Sequence, residues 1–99
     1  MDGVAKLITE TYEVNGYGQE IASKTEREIF VTVNSVTRTE FFSAGRQNIN
    51  PELVLTTPAI NYEGEEVIEY EERRYSIYRT FTNGEMIELY AQYKVGENG

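Results

Sequence analysis

The sequence predicts a single mainly β domain, a small antiparallel β-barrel or rolled sheet with one short helix and a long loop. Three observations lead there. The chain has 99 residues, enough for one domain spanning residues 1–99. Several segments alternate apolar and polar residues and are rich in β-branched and aromatic side chains, with turn residues between them. A single stretch breaks this alternation with a helix-capping pattern. Closing the sheet would also remove its exposed edges.

The first half of the chain predicts two strands. Residues 5–14 alternate through Ile8, Tyr12 and Val14, which is typical of a strand. A glycine-rich turn follows over Asn15–Glu20. The next strand is best defined from Arg27 to Asn34.

A short helix is predicted over about Arg38–Ala44. Thr37 and Glu40 have the three-residue spacing of a capping box. Phe41 and Ala44 lie three residues apart and would share a helix face. Gly45 is expected to end the helix in the left-handed conformation.

The second half predicts further short strands. Pro51 and Pro58 bracket the segment Leu53–Thr57, and because proline lacks an amide donor this strand should be short or lie at an edge. A turn at residues 61–66 follows, then two β segments on either side of Glu71–Glu72, and a last strand over residues 86–95.

The dipeptide Asn83–Gly84 predicts a type I′ hairpin that places Thr82 opposite Glu85. The register then divides the side chains into two faces. The first, which resembles a barrel lining, holds Ser76, Tyr78, Thr80, Ile87, Leu89 and Ala91. The second holds Tyr75, Ile77, Arg79, Phe81, Met86, Glu88, Tyr90 and Gln92.

The second face poses a question, because it combines five large apolar or aromatic groups with a predicted Arg79–Glu88 ion pair. An exposed pair of this kind contributes only about 0.2–1 kcal/mol, whereas burying each large apolar side chain contributes roughly 1.5–3 kcal/mol. Burial should therefore dominate, and something should cover the face. The cover is either another part of the same chain, such as the helix or the N-terminal strand, or a neighbouring subunit.

Composition excludes several functions. The net charge of −8, from nine basic and seventeen acidic side chains, disfavours tight nucleic-acid binding. No cysteine or histidine is present, which removes thiol chemistry and the commonest general base and zinc ligand. No signal peptide or membrane-spanning run is recognisable. The glutamates over residues 63–72 are interpreted as a solvated surface. We therefore expect no enzyme activity, no metal and no cofactor.

The arginines allow two interpretations. Arg74 is expected to pair with Glu69 across neighbouring strands. Arg38 and Arg46 flank the helix and could contact the acidic surface of a partner or a DNA phosphate, but their spacing does not decide between these.

Four segments, taken in order, resemble the head–tail joining proteins of long-tailed bacteriophages, the small head-closure ("stopper") or adaptor proteins. These segments are Ser35–Phe42 with Ala44 and Gly45, Tyr62–Glu65, Tyr75–Thr80 and Ile87–Tyr90. The likeness covers about three quarters of the chain, and residues 1–15 carry little of it.

The resemblance implies a virion structural protein, from a phage or a prophage, that is made in the host cytoplasm. It would form a homo-oligomeric ring of about twelve subunits. The ring would lie between a portal-side adaptor and the tail proteins, close the head and let DNA pass without specific binding. The loop that projects into the channel would be about Gly45–Thr57, with Arg46, Asn48, Asn50 and Glu52 as its contact residues. The expected subunit interface comprises Arg38, Phe41, Ile77, Arg79, Phe81, Met86, Glu88 and Tyr90.

The alternative is a small OB-like barrel that binds nucleic acid or another ligand. It would use tyrosine and phenylalanine as stacking platforms beside a basic groove, which the acidic composition disfavours. Head closure and tail-side joining are not separated by the sequence.

Overall fold

A computed structural model describes residues 1–14 and 16–93, without the side chains of residues 11–13 and 20–22. The strands in this part of the chain form a closed antiparallel barrel in the order β1-β2-β3-β6-β5-β4, which confirms the predicted fold class. The elements are β1 (Asp2–Val14), β2 (Glu20–Ser35), α1 (Arg38–Gly45), β3 (Pro51–Pro58), a 3-10 turn (Ala59–Asn61), β4 (Val67–Tyr70), β5 (Arg73–Asn83) and β6 (Met86–Tyr93).

The barrel interior is filled by alternate side chains from all six strands. Because successive residues of a strand point to opposite faces, every second residue enters the core. These buried residues are Ala5, Leu7, Ile29, Val31, Leu55, Ile68, Tyr70, Tyr75, Ile87, Leu89 and Ala91.

Strands β1 and β2 extend well beyond the barrel. They pair with each other from Asp2↔Thr32 to Val14↔Glu20, but β4 pairs with β1 only over Ala5–Ile8. We call residues 9–25 the arm. Its six residue pairs span roughly 20 Å at the usual strand rise, in a molecule that measures 51 × 30 × 23 Å. The radius of gyration of 15.0 Å also exceeds the ~13 Å of a compact 100-residue domain.

Helix α1 begins as predicted, since the Thr37 hydroxyl accepts a hydrogen bond from the Glu40 amide at 3.1 Å. The predicted left-handed stop at Gly45 is wrong. Arg46 is still right-handed, and the left-handed residue is Asn48, with φ 61°. The chain thus makes a further turn before it reverses, and asparagine tolerates this conformation because its short polar side chain bonds locally.

Strand β3 differs from its prediction in position. It lies between β2 and β6 and so is not an edge strand. The predicted long loop over Gly45–Thr57 is wrong for the same reason: Leu55 and Thr57 are fully buried, and their burial draws the segment into the barrel. The connection between α1 and β3 spans only residues 46–50.

The β5–β6 hairpin has a different register from the one predicted. Asn83 pairs with Met86, so the two loop residues are Gly84 and Glu85. Gly84 has φ 64° and Glu85 does not have positive φ, which matches a type II′ turn with glycine first. The I′ pattern of two positive φ angles occurs instead at Glu71 and Glu72, with φ 51° and 67°.

A bulge between Ile77 and Arg79 then exchanges the two faces of β5, so that alternate side chains before and after it point to opposite sides of the sheet. Tyr75 lies in the core and Ile77 packs against it, so the prediction that both belong to the second face is wrong. Tyr78, predicted to line the barrel, instead lies against helix α1 through Glu40. The bulge lets the large side chains of the first half of β5 fill the interior.

Candidate functional site

Helix α1 is fastened to the outer surface of β5 through Glu40. The Tyr78 hydroxyl donates to Glu40 Oε2 at 2.6 Å. The Arg79 Nε donates to the same oxygen at 3.2 Å, and its terminal nitrogen forms an ion pair with the other oxygen. The helix of the same chain therefore covers part of the second face of the hairpin.

Tyr90 completes this cluster. The Arg79 guanidinium lies 3.8 Å from the centre of the Tyr90 ring, and the Tyr90 hydroxyl donates to Glu88 Oε1 at 2.6 Å. The predicted Arg79–Glu88 pair is wrong because the register places Arg79 opposite Tyr90 and Glu88 opposite Phe81. Arg79 pairs with Glu40 instead.

Within this cluster the charges of Glu40 and Arg79 neutralise each other. The hydrogen bond from Arg79, helped by the one from Tyr78, holds the pKa of Glu40 below its usual value. The same hydrogen bond raises the pKa of Arg79. Burial, followed by the bond to Glu40, raises the pKa of the Tyr78 phenol. At neutral pH the group is thus carboxylate, guanidinium and neutral phenol, an arrangement that holds the helix in place.

Several of the predicted interface residues remain uncovered by the chain itself. Phe41, Phe81 and Met86 are exposed, and so is Arg38. Phe42, which the sequence analysis did not select, is 61% exposed and packs edge-on against Phe41 with ring centres 6.0 Å apart. Among the other predicted interface residues, Ile77 packs against the core. Arg79, Glu88 and Tyr90 take part in the contacts described above.

The predicted loop residues lie close to the helix end. Arg46 and Asn48 are exposed. The amide of Asn50 donates to Gln92 Oε1 at 3.4 Å, which ties the connection to β6. Glu52 is exposed but belongs to strand β3.

The sequence reasoning missed a second charged cluster, at the end of the barrel from which the arm extends. Glu65 is only 7% exposed. Its carboxylate accepts from the Arg27 Nε at 3.1 Å and from the Glu63 amide at 2.8 Å, while Arg27 Nη2 donates to the Asn61 carbonyl at 2.7 Å. Burial alone would raise the pKa of Glu65, but the Arg27 and backbone hydrogen bonds outweigh it and lower that pKa.

This cluster corrects the interpretation of residues 63–72 as a solvated surface, because Glu65 is buried and paired. The available signal was the spacing of Arg27, which continues the interior positions Ile29 and Val31. The predicted ion pair between Arg74 and Glu69 is confirmed. Arg74 Nε lies 3.6 Å from Glu69 Oε1, and the two residues face each other across β4 and β5.

An open cleft of about 640 Å³ lies beside this cluster and is lined in part by Thr9, Thr25 and Gly64. Within residues 1–14 and 16–93, no group of three or more carboxylates is arranged to hold a metal ion. No helix in the same ranges is long and apolar enough to cross a membrane.

Models of known protein families do not match this sequence, and no curated protein matches it either. The function is therefore inferred from the geometry of the chain and from the resemblance described above.

Proposed function

We propose that this chain is a structural subunit of a phage head–tail connector ring, which closes the DNA-filled head and offers a docking surface to the tail. The observation that carries the proposal is the arm. Beyond Ile8 on β1 and before Thr32 on β2, each strand has only the other as a partner. Free strand edges and a projecting hairpin are features by which subunits join.

The rest of the molecule suits a rigid assembly unit. The strands of the barrel pair in a closed circle, which fixes its shape. The Glu40 and Glu65 carboxylates are each paired with an arginine of the same chain. Exposed aromatic residues on and near helix α1 add apolar area for a partner.

The acidic balance supports a place in the wall of a DNA channel. With seventeen acidic and nine basic side chains, the subunit would repel the phosphate backbone instead of gripping it. Packaged DNA would then pass without being held. The neighbours would be a portal-side adaptor above the ring and tail proteins below it.

Electron microscopy of particles that lack the protein tests the proposal. We expect either heads that lose their DNA, which would indicate closure, or filled heads without tails, which would indicate joining alone. Particles with normal heads and tails would refute both roles. DNA binding by the free protein at physiological salt would instead favour the OB-like alternative.

A shortened arm gives a more specific variant. Because Thr9 and Thr25 face each other, residues 10–24 can be replaced by an Asn-Gly turn that closes the hairpin early. We expect this variant to fold, since the core residues lie outside the arm, and to fail to restore tailed particles. The matched control is Gly16→Ala, which keeps the arm at full length and adds a carbon with no other atom within 4 Å.

A further inference from the structure

Helix α1 has little apolar contact with the barrel. Of its residues, all of which the structure describes, only Ala44 is buried, and the large side chains of Phe41 and Phe42 are exposed. A helix of eight residues is marginal in water on its own, because isolated helices need about 12–15 residues. A contact other than apolar burial must therefore hold this helix in its folded position.

That contact is made by Glu40. Its side chain is only 12% exposed, and its two carboxylate oxygens accept from the Tyr78 hydroxyl and from the Arg79 guanidinium. Hydrogen bonds between ionised groups are about twice as strong as those between neutral groups. Among the hydrogen bonds of the described chain, these are the ones that join the helix to strand β5.

The barrel does not depend on the helix for its core. In the described part of the chain, no core residue belongs to residues 36–50. Ser35 of β2 pairs directly with Leu53 of β3, so the sheet fixes the two ends of this connection side by side. The helix can therefore leave the barrel surface and return while β2 and β3 stay paired. Such a local opening costs less free energy than unfolding of the whole domain.

We propose that helix α1 is a flap that opens and closes on the outer surface of β5 and β6, with Glu40 as the residue that holds it closed. The open state uncovers the Tyr78 phenol and releases Arg79, which lies over the Tyr90 ring. A surface that the chain itself covers thus becomes one that offers a phenol, a guanidinium and an aromatic ring. Opening is a property of the single chain, so it goes beyond the connector role and does not depend on it.

Hydrogen exchange of backbone amides tests the flap in the intact chain. The amides of Phe41 and Arg46 are hydrogen-bonded within the helical segment and report on the helix. Leu55 and Leu89 face each other across β3 and β6, are fully buried and report on the barrel. We expect the helix amides to exchange faster and with little dependence on added urea, because a local opening exposes little surface. Equal rates with equal urea dependence would overturn the proposal, since the helix would then open only when the whole domain unfolds.

Substitutions on both sides of the contact test the role of Glu40. Glu40→Gln removes the charge from the helix, and Arg79→Met removes the guanidinium from β5 without changing the helix. Each should speed exchange at Phe41 about tenfold or more, the usual weight of a hydrogen bond to a charged group, and leave Leu89 unchanged. The matched control is Glu52→Gln, at an exposed glutamate of β3, which should change neither rate.

Arg79→Met is the decisive variant of the two. Loss of the Glu40 charge could by itself weaken the first turn of the helix, whereas Arg79 lies outside the helix. An Arg79→Met protein whose helix amides exchange at the wild-type rate would therefore overturn the assignment of Glu40 as the residue that holds the flap closed.

Nitration of tyrosines with tetranitromethane gives an independent measure of the open state. Tyr17, which is 92% exposed, supplies a reference within the same chain, and Tyr75 reports on the core. In the Glu40→Gln protein, nitration of Tyr78 relative to Tyr17 should rise while Tyr75 stays as in the wild type. An unchanged ratio would overturn the proposal that opening uncovers this surface. A parallel rise at Tyr75 would overturn it as well, because the barrel itself would then be unfolding.

Discussion

Replacing Arg27 by methionine should destabilise the protein strongly, because it leaves the Glu65 carboxylate buried without its counter-charge. Removing one partner of a buried ion pair costs about 3–5 kcal/mol. The Arg27 side chain is 34% exposed, and Glu65 keeps its bond from the Glu63 amide, so we expect the lower end, about 3 kcal/mol. For a domain of this size the melting temperature should fall by about 12–24 °C.

The assay is urea unfolding at pH 7 with thermal melts beside it. The matched control is Lys24→Met, on the same strand, whose pair with Glu26 is exposed and 3.5 Å long; its loss should cost less than about 1 kcal/mol. The double variant Arg27→Met with Glu65→Leu should be more stable than Arg27→Met alone, since it removes the isolated buried charge.

The effect should also depend on pH. In the native protein the pKa of Glu65 is lowered, so its contribution is present above the unfolded pKa of about 4.3 and is lost as the pH falls through the folded value. Without Arg27, burial should raise the pKa of Glu65, and protonation should relieve the cost. The stability gap between the two proteins should therefore narrow from pH 7 towards pH 4. A gap below about 1 kcal/mol that does not change with pH would refute the reasoning.

Three further predictions concern backbone conformation, the space beside a glycine and the cap of the helix. Glu72→Gly should raise the melting temperature by roughly 4–8 °C, because it removes about 1 kcal/mol of strain at φ 67°; an unchanged melt would contradict this. Gly3→Ala should cost about 1–3 kcal/mol in urea unfolding, since the added carbon would lie 2.8 Å from Tyr70 Cε1, whereas Gly45→Ala, with open space around it, should cost nothing. Equal effects at the two glycines would refute that contrast. Thr37→Ala should cost about 1 kcal/mol through the lost helix cap, and a smaller loss than about 0.5 kcal/mol would mean that the cap contributes little.

The elements of the fold could be predicted because their signals are local. The alternation around Ile29 and Val31 and the cap at Thr37 each occupy a few residues and indicate a strand and a helix directly. The expectation of a barrel or rolled sheet followed from the need to remove sheet edges. These inferences required no knowledge of which strand lies beside which.

The register of the hairpin could not be obtained in the same way. Asn83–Gly84 fits a I′ turn, but Gly84 serves equally well as the first central residue of a II′ turn, and the two differ by one residue. The choice depends on packing along β5, where Tyr75 and Ile77 contact the core and a bulge follows them. A dipeptide at the hairpin tip carries no information about that requirement.

Both charged clusters were missed for a related reason. Arg27 and Glu65 are 38 residues apart, and Arg79 and Glu40 are 39 apart. Such partners meet only once the barrel has closed and the helix has folded over it. Nearby glutamates in the sequence offered Arg79 a plausible local partner, Glu88, which the register then placed elsewhere.

The position of β6 in the barrel has a consequence for how the protein is made. This strand, Met86–Tyr93, lies between β3 and β5. Because β3 and β5 are synthesised before β6, the edge of each strand that β6 will cover has unpaired amides and carbonyls until β6 is made. Until β6 is added, the partly folded chain is an open sheet with two unpaired edges, and such edges promote aggregation. A chain truncated before Met86 would keep both edges unpaired and should accumulate in inclusion bodies.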